Sequence, residues 1–172
     1  MSLRSYMQDH PLLLVWTWEV ASKLFVKLGP FFERVGIERA SHFLHPPEKF
    51  FKQLIFDCRS CGQCILHYTG MTCPMTCPKQ LRNGPCGGVS AEGKCETDSE
   101  MDCVWFKAME RIERTPYQAE KTRLNPPVDW QLEGLSSYVT YGMGRDQVCM
   151  GNEEGVCYFD PEVVRRHQPW HM

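Results

Sequence analysis

Apolar positions crowd the first third of the chain at helical spacing. From Leu12 to Leu28 they cover most of a helical circumference, with Trp16 and Trp18 on nearly opposite sides. Asp9 is placed to cap this helix, and Pro11 is tolerated in its first turn. Gly29-Pro30 is read as its end. A second helix is predicted through Phe31, Phe32, Val35, Ile37 and Phe43, weakened by Gly36 and stopped by His45-Pro46-Pro47. A third, short helix follows from Glu48 to Phe56. A helix apolar all round must be covered by something. Core packing is the plainer expectation for the first helix. A docking helix is the sharper one, and its few basic residues favour a protein partner over a membrane surface.

The periodicity vanishes between residues 58 and 98. Glycines are dense there (Gly62, Gly70, Gly84, Gly87, Gly88, Gly93), and prolines follow Cys73 and Cys77. The stretch reads as wrapped loops with short turns. Helical spacing returns over 99–115, capped by Asp98 or Ser99. Met101, Val104, Trp105, Ala108, Met109 and Ile112 form its apolar stripe, and Cys103 lies nearly opposite them on a helical wheel. That offset favours Cys103 as a ligand over a small core side chain. From Pro116 the pattern is irregular. The expected organisation is an N-terminal helical extension (1–57), a cysteine-rich core with a closing helix (58–115) and an irregular C-terminal segment packed on that core (116–172). The fold class is mainly α with a loop-rich, metal-stapled cysteine core.

Composition narrows the function. The 172-residue chain is 42% hydrophobic, enough to bury a core. Its net charge of −2 and pI near 6.3 give no electrostatic footprint for nucleic acid. The apolar run Leu12–Trp16 is too short to span a bilayer, and no export signal is recognised. A reducing, cytoplasmic setting is therefore expected, where clustered cysteines hold metal or do redox work more often than they form disulfides.

Eight of the ten cysteines fall between Cys58 and Cys103. They are Cys58, Cys61, Cys64, Cys73, Cys77, Cys86, Cys95 and Cys103. The run Cys58-x2-Cys61-x2-Cys64 puts three soft ligands on one tight loop, which suits an iron–sulfur cluster. Eight thiols are enough for two [4Fe–4S] clusters of four ligands each. Two clusters with 2+ cores would bring the net charge to roughly −6. Lys79, Arg82 and Lys94 are candidates to offset that charge, with plain solvation as the alternative. Zinc is the rival metal. It prefers separated Cys-x2-Cys pairs, and Cys64-x2-His67 makes a Cys3His site conceivable. His67 taken alone reads as a surface or packing histidine, and Cys149 and Cys157 as buried thiols. No phosphate loop, nucleophile elbow or triad spacing is present, so the chain is not expected to be catalytic alone.

The stretch from Cys58 through Thr69-Gly70-Met71-Thr72-Cys73-Pro74-Met75-Thr76-Cys77-Pro78-Lys79-Gln80-Leu81-Arg82-Asn83-Gly84-Pro85-Cys86-Gly87-Gly88 resembles the methylenetetrahydrofolate reductase C-terminal domain family. The resemblance runs from Phe56 to the Met101–Glu113 helix and extends at most to Gly144. It implies a small cysteine-rich subunit working beside a flavin-containing reductase of TIM-barrel fold. That partner would carry FMN or FAD and reduce 5,10-methylenetetrahydrofolate to 5-methyltetrahydrofolate. The resemblance implies an upstream electron donor and makes the eight cysteines the ligand candidates. It also admits the zinc alternative, a structural or assembly subunit of a folate one-carbon complex with no redox role. Residues 1–55 do not map onto the family by this reading.

Overall fold

The computed structural model describes residues 6–7 and 10–146. The expected Asp9 cap, Cys149 and Cys157 lie outside the described residues. Besides a helical pair at residues 6–7, the described residues hold four α-helices: α1 (Pro11–Val35), α2 (Ile37–Phe56), α3 (Val104–Ile112) and α4 (Ser137–Gly142). Short 3-10 turns occupy Leu66–Thr69, Pro74–Thr76, Gln118–Thr122 and Trp130–Leu132. Among the described residues there is no strand, only an isolated antiparallel bridge between Lys94 and Asp102. The mainly helical expectation and the loops with short turns over 58–98 both hold. Among the described residues, no helix is long and apolar enough to cross a membrane.

The helix ends differ from the expected ones. Gly29-Pro30 does not stop α1, which runs on to Val35. Gly29 is a contact glycine: a Cβ there would overlap the carbonyl oxygen of Gly142, and one on Gly142 would lie 2.5 Å from the Phe25 oxygen. The two backbones touch, and this packing holds the helix through Pro30. The break falls at Gly36, whose φ of +95° no other residue type adopts readily, while its N–H still donates to Phe32 O (2.9 Å). Pro46-Pro47 does not stop α2 either. Just beyond them, the buried Glu48 accepts hydrogen bonds from Ser136 Oγ (2.6 Å), Ser137 Oγ (2.6 Å) and Ser137 N–H (3.2 Å). Prolines remove helix donors, but here a tertiary clamp fixes the turn that follows.

The described residues fall into two compact units, each stitched from separate stretches. One unit holds the chain up to Trp18, with Phe50–Arg59 and Ile65–Asn125. Ile65, Met71 and Ile112 are almost wholly inaccessible in it. The turn Leu66–Thr69 packs against α3 so closely that a Cβ on Gly70 would come within 2.5 Å of the Ile112 nitrogen. Val104, Trp105, Ala108 and Ile112 are buried as the stripe predicts, and Met109 is half-buried.

The helix over 99–115 begins later than expected, at Val104. Asp98 accepts instead from the Glu100 N–H (3.1 Å) in a turn. Cys95 N–H donates to Met101 O (2.9 Å) and Cys103 N–H to Gly93 O (2.8 Å), so 93–103 folds as a small antiparallel loop. Cys103 is thus the N-cap, with extended backbone (φ −61°, ψ 121°). The helical-wheel placement opposite the stripe does not apply to it. Its side chain is buried with Trp105 and Ala108.

The other unit holds Glu19–Lys49, Ser60–Cys64 and the chain from Pro126. Phe32, Ala40 and Val139 form its core, joined by Phe25, Ile37, Leu44 and Met143. Phe25 also stacks on Tyr138 (4.6 Å between centroids). α4 is a short helix where an irregular segment was expected.

Candidate metal centre

The loop after α2 is shaped by left-handed residues. Asp57 (φ 56°), Ser60 (φ 55°) and Gly62 (φ 72°) alternate with Cys58 and Cys61. Asp accepts this backbone region more readily than most side chains, and glycine most readily of all. Cys58 belongs to the unit of α3, whereas Cys61 and Cys64 belong to the unit of α4.

Within the unit of α4, the segment Ser60–Cys64 is clamped. Gln63, fully buried, accepts from the Asp129 N–H (2.7 Å) and donates to Asp146 O (3.4 Å). Thr140 Oγ1 donates to Gly62 O (2.6 Å), and the Gly134 N–H to Ser60 O (2.9 Å). A Cβ on Gly62 would overlap the Leu132 carbonyl. The Cys61 thiol donates to Gln63 O (3.6 Å).

Within the unit of α3, Cys73 and Cys77 bracket the turn Pro74–Thr76. Cys73 O accepts from the Thr76 N–H (3.2 Å) and hydroxyl (2.7 Å). Cys77 packs against the cluster of Cys103, Trp105 and Ala108, with Leu81, Val89 and Met109. Cys95 sits in the small loop beside the Lys94–Asp102 bridge, its sulfur 3.1 Å from Thr97 Oγ1. That hydrogen bond, with the Thr97 backbone amide, holds the Cys95 thiol below its ordinary pKa and favours the thiolate. Cys73 and Cys103 are buried, and the other six cysteines are half-buried.

The positions around the thiols have structural duties. Lys79 pairs with Glu96. Lys94 (2.7 Å) and Lys107 (2.5 Å) both bind Asp102. Hydrogen bonds from Lys107 and then Lys94 hold the Asp102 carboxyl down to about 2. The charges of Lys79 and Lys94 are therefore already matched by carboxylates. Asn83 accepts from the Asn125 N–H (2.7 Å) and donates to Asn125 O (2.9 Å), fastening the core loop to the later chain. Trp105 Nε1 donates to Leu81 O (3.0 Å), and a Cβ on Gly84 would lie 2.5 Å from the indole. Much of Leu81-Arg82-Asn83-Gly84 is thus a seat for Trp105.

His67 is fully buried, stacked on Trp18 (4.9 Å) and set edge-on to Tyr117 (5.9 Å). Burial, then the charges of Arg123 and Lys52, hold its pKa well below 6.5, so it is neutral. Of the surface and packing roles open from the sequence, it takes the packing one.

The eight cysteines are thiols rather than disulfides. As a donor set they fit a thiolate-bound metal, and Gly62 and Gly70 show how closely backbone passes in these loops. No three Cys, His, Asp or Glu side chains converge as a preformed metal site among the described residues. The clamps at Gln63, Thr140 and Glu48 were not found from sequence. Buried polar residues in otherwise apolar or glycine-rich stretches are the signal that could have found them.

Comparison with known families gives one match. The family described as "Methylene-tetrahydrofolate reductase C terminal" matches residues 37–131, more than half of the chain. The match takes in α2 and all eight thiols and leaves α1 outside. It therefore reaches further toward the N-terminus than the expected start at Phe56. No curated protein and no solved structure matches the chain.

Proposed function

Because the chain belongs to the methylene-tetrahydrofolate reductase C-terminal family, we propose that it serves a flavin-containing reductase as an electron-transfer subunit. The observation that supports this is the set of eight thiols inside the family match. Cys58, Cys61, Cys64, Cys73, Cys77, Cys86, Cys95 and Cys103 would hold two [4Fe–4S] clusters. Such clusters, when bound, supply one-electron carriage, which the partner's flavin would turn into two-electron reduction of the folate. The chain's own residues supply the frame. Gln63 and Thr140 hold the backbone of the Cys61–Cys64 loop. Thr97 stabilises the Cys95 thiolate. Trp105 and Asn83 hold the loop between Cys77 and Cys86. Thiolate ligation couples metal binding to folding, so loop order is expected to rise on loading.

Anaerobic purification of the full chain tests this. Roughly eight iron and eight sulfide per chain are expected, with a broad visible band bleached by dithionite. Stoichiometric zinc without colour would replace this reading with a structural staple. The partner half is tested by mixing the reduced chain with a flavin-containing methylenetetrahydrofolate reductase under anaerobic conditions. Flavin bleaching without added nicotinamide is the expected result.

A further inference from the structure

Helix α1 has a second apolar face that its own core does not use. Leu14, Val15, Trp18 and Phe32 are buried. Leu13, Trp16, Val20, Leu24, Leu28 and Phe31 point the other way and are 36–62% exposed. They recur at helical spacing and so form a straight stripe about 27 Å long. Together they expose on the order of 700 Å², near the roughly 800 Å² per partner of a stable interface. Soluble monomers rarely leave so large an apolar patch uncovered.

The stripe reads the same from either end. Leu13 and Phe31, Trp16 and Leu28, and Val20 and Leu24 are each equally far from Ser22. A two-fold interface needs such a self-complementary patch. In an antiparallel pair centred at Ser22, Leu13 of one copy meets Phe31 of the other, Trp16 meets Leu28, and Val20 meets Leu24. The charges agree with this register. Glu19, Lys23 and Lys27 lie along one edge of the stripe, and in an antiparallel pair that edge faces its own copy. Glu19 then faces Lys27 of the other chain, twice. The two Lys23 side chains meet near the axis, each one turn from Glu19 of its own helix, which offsets their repulsion. An edge of mixed sign suits a second copy better than an anionic membrane. α1 also lies outside the family-matched residues.

We propose that the chain forms a two-fold homodimer through antiparallel packing of α1 on α1. Sedimentation equilibrium of the metal-loaded full chain is expected to give about 40 kDa, twice the 20.0 kDa chain. Leu24→Glu, at an exposed position, should weaken the dimer by about 100-fold or more while helicity is kept. Lys27→Glu alone should weaken it, and Glu19→Lys combined with Lys27→Glu should restore it. A monomer at several hundred micromolar would overturn the proposal. So would a dimer indifferent to Leu24→Glu, failure of the double variant to restore it, or a monomeric chain sedimenting with phosphatidylserine vesicles. Iron content, measured on the same samples, separates this outcome from failure of the electron-transfer reading.

Discussion

At Gly62 the backbone turns left-handed, and a Cβ would overlap the carbonyl oxygen of Leu132. Gly62→Ala is therefore expected to cost about 2–3 kcal/mol and to speed alkylation of Cys61 and Cys64, read by thermal unfolding and timed thiol labelling. Trp105 joins the buried Cys103 and Ala108 to the Leu81 carbonyl, so Trp105→Ala should cost about 3–5 kcal/mol in urea titration. His67 makes stability depend on pH. Its folded pKa is depressed, so below the unfolded value near 6.5 the unfolded chain binds a proton that the folded one does not. Stability is full above that value and falls as pH drops, by at most about 1.4 kcal/mol per unit. His67→Phe should flatten melting temperature against pH between 6.5 and 5. The sequence left His67 at the surface or packed; its seat between Trp18 and Tyr117, about fifty residues away on each side, settles its burial and was not legible.

Among the elements, helical character before Cys58 and around α3 was legible, but helix number and helix ends were not: three helices were expected where α1 and α2 stand, and α4 was not expected at all. Apolar spacing located α1, α2 and α3 because burial repeats with the helical turn. Gly29-Pro30 and Pro46-Pro47 look like stops only when tertiary contacts are ignored. Gly29 faces the backbone of α4, and Glu48 ties the turn after Pro47 to Ser136 and Ser137, almost ninety residues later. The N-terminus of α3 was misplaced because pairing over 93–103 takes the backbone groups that a longer helix would need. This produces an inverted glycine rule in α1. Gly→Ala inside a helix ordinarily gains up to about 1 kcal/mol. Gly29→Ala should instead lower the melting temperature, because its methyl has no room against Gly142. Gly36→Ala should cost only about 1 kcal/mol, since only the φ of +95° opposes it.

For the whole molecule, the family was legible, because a run of spaced thiols with glycines is a pattern written locally. The frame around them was not, because it is built by chain from far away. α1 and α2 each contribute to both compact units. Deleting residues 1–28 therefore removes Trp18 from beside His67 and Phe25 from beside Phe32. The truncated chain is expected to lose cooperative melting and helical circular dichroism, so point substitutions are the usable probes of α1's outer face.

The hold on Cys61 and Cys64 also has a place in time. Gln63 is gripped by Asp129 and Asp146, which follow it by 66 and 83 residues. During synthesis from the N-terminus, the two thiols emerge long before their grip does. They remain on an open loop until residue 146 has left the ribosome. The order of translation thus gives whatever these sulfurs bind a window of access that closes as the last clamp arrives.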